Sequence, residues 1–147
     1  MFERLTHFFA NKAPKQAPLP AMDAKHALGT LLVRVAQIDR AYLFEEIEQI
    51  DRILAEWNDI NPVEAAKMRA MCERLSESAG ESEELADLIR EHVDYAHRLE
   101  AAQAMWKVAL ADGITDQQEE ALIDLIENHL SVESMDSEAA RASAVIS

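Results

Sequence analysis

Four carboxylates recur in this chain at one spacing, an Asp followed seven residues later by a Glu: Asp39 with Glu46, and Asp112 with Glu119. Such oxygen-only donors suit hard divalent cations, Ca²⁺, Mg²⁺ or Mn²⁺. Each Asp falls where a helix is expected to end, against the negative end of the helix dipole, a misplacement that costs ~0.3–1 kcal/mol at an exposed site. Each Glu falls in the first turn of the following helix, where negative charge is favourable. Two readings are open. In one, the two turns meet and the four carboxylates hold a cation. In the other, each Asp accepts backbone N–H bonds in an Asx-type turn and meets a nearby Lys or Arg. Asp116 reads as a helix-start residue, and Asp51 and Asp124 as solvated faces or interhelical ion-pair partners.

Other chemistry finds no footing in the residue pattern. The five histidines, His7, His26, His92, His97 and His129, include no i, i+4 pair and no His-Glu-x-x-His element, so zinc is not expected. Cys72, the single cysteine, lies in the helical context MRAMCERL without an adjacent base and reads as a structural thiol. Trp57 and Trp106 read as packing residues. No glycine-rich phosphate loop or nucleophile elbow occurs, and the expectation is a non-enzymatic protein.

The elements that must position the carboxylates come in two copies. Residues 31–53 laid over 104–126 at an offset of 73 match at seven of 23 positions, Val35 with Val108 and Ile50 with Ile123 among them. A repeat of this kind is one supersecondary unit used twice, which predicts two helical hairpins about an approximate two-fold axis. In the second copy Gly113 suits a left-handed helix end, and Thr115 to Gln118 reads as a capping box opening the next helix. In the first copy Arg40 replaces the glycine and Tyr42 the threonine, so that turn is expected to differ in shape.

Around these hairpins the periodicity is helical throughout, and the fold class is all-α with about seven helices. One helix runs from an N-cap at Asp23, with Leu28, Leu31, Leu32, Val35 and Ile38 on one face. The next buries Leu43, Ile47, Ile50, Leu54 and Trp57. Asn61-Pro62 starts a third, with Val63, Ala66, Met71 and Leu75 inward. Residues 76–82 connect the halves, a helix over about 83–95 follows, and after a break near Tyr95 comes the helix carrying Met105 and Trp106. Residues 131–142 repeat the third helix. The expected domain is 23–143, with 144–147 frayed.

The 147 residues carry a net charge of −14, which argues against a nucleic-acid groove and favours cations or basic protein surfaces as partners. Residues 1–22 depart from that balance, with three basic side chains (Arg4, Lys12, Lys15) against Glu3. Here Phe2, Leu5, Phe8 and Phe9 fall at near-helical spacing ahead of a stiff linker containing Pro14, Pro18 and Pro20. Such an arm either folds back on the body or meets a membrane surface or partner groove. No apolar run approaches the ~20 residues that span a bilayer, and the expected location is cytoplasmic, with peripheral contact at the inner membrane through the arm. The partner protein and the oligomeric state stay open, a homo-oligomer included.

At VALADGITDQQEEALIDLI and its degenerate copy VAQIDRAYLFEEIEQIDRI the chain resembles the tellurite-resistance protein B (TerB) family, over roughly residues 24–143. The resemblance implies an all-helical fold of about seven helices, acidic residues gathered at the two turns, and metal-ion binding or sensing in tellurite and stress response. Related domains attached to membrane-bound co-chaperones look like interaction modules. Carried onto this chain, the acidic motif falls on Asp112 and Glu119, with Asp39 and Glu46 in the first half. Arg40 and Tyr42 depart from the pattern, and an arginine beside Asp39 would itself supply positive charge.

Overall fold

The computed structural model describes residues 23–38, 42–111, 113 and 116–146, and among these, apolar residues at spacings of three and four give seven helices. They are α1 (Ala24–Gln37), α2 (Phe44–Asn58), α3 (Pro62–Ser78), α4 (Ser82–His92), α5 (Tyr95–Ala109), α6 (Gln117–Leu130) and α7 (Ser134–Ile146). No strand occurs among the described residues. The duplication extends over three helices. α1 packs on α2 and α3 as α5 packs on α6 and α7, and α4 lies between the halves against α1 and α6. The shared core contains Leu31, Val35, Ile50, Leu54, Val108, Ile123 and Ile126, all fully buried. Ile47 is only half-buried.

Local signals set the helix starts. Asp23, Asn61, Asp94 and Asp116 each accept a backbone N–H from the first turn of the helix they precede. The start of α6 thus differs by one residue from the capping box expected at Thr115: the N-cap is Asp116, whose carboxylate accepts the Gln118 and Glu119 N–H groups at 2.7 and 3.3 Å. Asp and Thr both cap, and Asp adds a full negative charge at the positive end of the dipole. Gly113 has φ +84°, the left-handed conformation expected of it.

The inward face of α3 is not the one read from its larger apolar residues. Val63 and Met71 are 65% and 40% exposed, whereas Ala65 and Cys72 are fully buried. Close approach explains the reversal. A Cβ on Gly29 of α1 would lie 2.6 Å from the Cys72 sulfur, so small residues on both helices let their backbones come together. Ile38 likewise ends 39% exposed, because the chain leaves α1 there. α7 runs to Ile146 and buries Ala144, beyond the boundary read from the sequence.

Arg34 ties the halves together near the α3–α4 junction. Its guanidinium donates to the carbonyl oxygens of Ser76 and Ala79 and to the hydroxyls of Ser76 and Ser82. Carbonyls at the end of α3 that lack a helical partner are thereby satisfied by a cation at the favourable end of the dipole.

Candidate functional site

The two glutamates of the repeated motif are placed alike. Glu46 and Glu119 occupy the third position of α2 and α6, and each is 2% exposed. For Glu46, the carboxylate Oε1 accepts the Leu43 N–H at 3.0 Å, while the Glu46 N–H donates to the Leu43 carbonyl, also at 3.0 Å. Part of its role is therefore to close the first turn of α2. Asp39, Arg40, Asp112 and Thr115 lie outside the described residues, as do Phe2, Leu5, Phe8 and Phe9. Among the described residues no three His, Cys, Asp or Glu side chains gather as a metal-holding group.

Tyr42, which departs from the expected threonine, anchors the entry to α2 on the flank of α3. Its hydroxyl donates to Glu73 Oε2 at 2.6 Å, and Arg69 bridges the same Glu73 at 2.9 Å and Asp51 at 2.6 Å. Burial and the neighbouring Glu73 carboxylate push the Tyr42 phenol far above its usual range, so it stays a donor. Asp51 is thus an interhelical ion-pair partner, whereas its counterpart Asp124 is exposed.

A third buried carboxylate was not singled out from the sequence. Glu127, 4% exposed, accepts Trp106 Nε1–H at 3.1 Å and the Ser137 hydroxyl at 2.5 Å. Arg141 lies over the Trp106 ring at 4.6 Å and pairs with Glu120 at 2.8 Å. Trp106, Glu127, Ser137 and Arg141 line a cavity of about 310 Å³ between α6 and α7. Burial raises the Glu127 carboxyl, with Asp124 adding to the rise, and the two donors oppose it. Its position was legible: Ile123, Ile126, Glu127 and Leu130 share one helical face, and an acid among apolar neighbours at that spacing implies built-in donors. The Glu127–Ser137 pair is a strap between α6 and α7.

The duplicated helix–turn–helix, the left-handed Gly113 and the paired buried glutamates agree with one further observation: residues 25–142 match the family described as Tellurite resistance protein TerB. The chain belongs to the TerB family. The match spans both halves of the TerB repeat and leaves outside it the N-terminal segment and the last residues. No curated protein and no solved structure matches the chain. Within this TerB fold, no described helix is long and apolar enough to cross a membrane.

Proposed function

We propose that this TerB-family chain is a non-enzymatic cation-binding protein of the cytoplasm, acting in tellurite or stress response, with its site at the acidic turn of each half. The observation that supports this most is the equal burial of Glu46 and Glu119 in a chain of net charge −14. Withdrawing a carboxylate from water is costly, and donors or a cation must offset that cost. The Leu43 N–H donates to Glu46, and a hard divalent ion, Ca²⁺, Mg²⁺ or Mn²⁺, suits oxygen ligands drawn from Glu46, Glu119, Asp39 and Asp112.

Thermal melts of the chelator-treated protein with each ion test the reading. A ligand at a hundredfold excess over Kd stabilises by about 2.7 kcal/mol, and a chain of this length gains roughly 2–4 °C per kcal/mol. Glu46→Gln, Glu119→Gln and Asp112→Asn are expected to abolish the rise. Glutamine closes a capping box as glutamate does, so Glu46→Gln separates ligation from capping: the metal-free melt stays put while the response disappears. A wild-type midpoint indifferent to all three ions refutes the reading.

A second reading, an interaction module without metal, is favoured by the apolar surface beside the first turn. Phe44 is 69% exposed, with Ile38 and Leu43 at 39% and 37%. Side chains of this size left open to water at one end of a helix mark a contact surface. In this reading the N-terminal arm, Phe2, Leu5, Phe8 and Phe9, recruits the domain to a partner or a membrane, and Phe44→Ser removes binding while leaving the melt unchanged.

A further inference from the structure

At the pole opposite the starts of α2 and α6, where α1 begins, α2 ends and α4 passes into α5, the surface carries a groove of about 520 Å³. Leu28, Trp57, Ile89 and Val93 give it an apolar lining. Its charged rim is mixed but mainly acidic, with Glu56, Asp94 and Glu100 against Lys25. His97, also on the rim, is paired with the Asp94 carboxylate at 2.6 Å. A smaller groove of about 240 Å³ shares Glu56, Trp57 and Glu100 and adds Ile53 and Ala104, which extends the depression along the seam between α2 and α5. The extension is the more polar part, with Gln103 and Lys107 beside Glu56 and Glu100, and an apolar groove with a mainly acidic rim fits a short amphipathic segment carrying basic residues.

The chain itself contains such a segment, attached at the groove's edge. Ala24, the first residue of α1, lines the groove, and everything before Asp23 precedes it. Residues 1–22 combine Phe2, Leu5, Phe8 and Phe9 at helical spacing with Arg4, Lys12 and Lys15 against one acid. From Phe9 to Ala24 the chain can extend at most ~3.3–3.6 Å per residue, far enough to turn back over the groove. Tethering makes the docking intramolecular, so a weak intrinsic affinity suffices.

We propose that this groove is the seat of the chain's own N-terminal segment, which lays Phe2, Leu5, Phe8 and Phe9 on Leu28, Trp57, Ile89 and Val93. Proline at 14, 18 and 20 sets a stiff return between the apolar face and α1. Recruitment of a membrane or another protein through the arm would then compete with this internal site. The proposal is independent of cation binding, since Glu46 and Glu119, at the starts of α2 and α6, lie at the other pole.

The full chain can be tested with a nitroxide on Phe9→Cys, because the buried Cys72 thiol leaves the introduced one as the reactive group. Paramagnetic broadening of backbone amides in an isotope-labelled sample is the readout. Signals of Leu28, Trp57 and Val93 should lose most of their intensity, while those of Gly113 and Glu119 keep theirs. Glu56→Lys with Glu100→Lys should restore the lost signals. Leu5→Cys provides a second label position should the first disturb the segment. Even broadening at both poles, or none at the groove from either label, overturns the proposal. So does broadening in a mixture of spin-labelled unlabelled-isotope chains with isotope-labelled wild type, which would give the groove to a second copy.

Discussion

Gly29→Ala, in the middle of α1, measures how closely the first and third helices of the first half approach. Free of contacts, replacing a helical glycine by alanine gains about 0.8–1.0 kcal/mol. Here the added Cβ meets the Cys72 sulfur at 2.6 Å and Leu54 Cδ2 at 3.4 Å. Cys72 is fully buried, so the sulfur has little room to yield, and overpacking of this kind costs about 1–3 kcal/mol. The expected result is a net loss of up to about 2 kcal/mol, a fall of several degrees in the melt. Cys72→Ala alone removes a buried group about the size of a methylene and leaves a small void, a loss of about 1 kcal/mol. In the double variant the new methyl occupies the space the sulfur leaves. Stability should return to within about 1 kcal/mol of wild type, a coupling within the range seen for touching residues. Urea unfolding of the four proteins reads this cycle. A stabilised Gly29→Ala, or effects that simply add, would refute the close-approach argument.

Glu127→Gln should flatten part of the stability–pH curve. Burial raises the folded carboxyl above its ordinary value, so the native state binds the more protons between the unfolded and folded pKa, and wild-type stability falls as pH rises through that window. Urea midpoints of both proteins from pH 4 upward should therefore diverge in that window, the difference levelling off above it; parallel curves would show that Glu127 does not titrate differently on folding. At the ends of α2 and α6, Asp59 and Ser131 are left-handed, with φ 52° and 60°. Ser131→Gly should stabilise by about 0.5–1 kcal/mol as the side-chain clash is relieved against glycine's entropy cost. Asp59→Gly should gain less, because Asp tolerates this conformation, and thermal melts of the two variants give the order.

The duplication was legible because its apolar positions repeat at a fixed offset and because Gly113 needs a left-handed residue. The helix starts at Asp23 and Asn61 were legible because short polar side chains have one economical use ahead of an apolar stripe. The burial of Glu46 and Glu119 was not, since a first-turn glutamate is equally at home in water, and only packing decides. Nor was the inner face of α3: Val63 and Met71 outrank Ala65 and Cys72 in hydrophobicity, yet the site that receives α3 has no room for large side chains. Arg34 gave no sign of its role because its acceptors, two backbone carbonyls and the hydroxyls of Ser76 and Ser82, lie more than forty residues away and carry no charge that would mark them in the sequence.

Burial pushes the Cys72 thiol up to about 11, so near neutral pH almost none of it is the thiolate that reacts with oxidants and disulfides. The sulfur also sits beneath α1, against the His26 carbonyl at 3.8 Å. A thiol reagent therefore reaches it only when α3 separates from α1, and the labelling rate becomes the opening equilibrium multiplied by the reactivity of a free cysteine. The chain thus carries its own clock for core opening. It can be read in a crude extract without spectroscopy, and it slows in proportion to anything that binds the closed form.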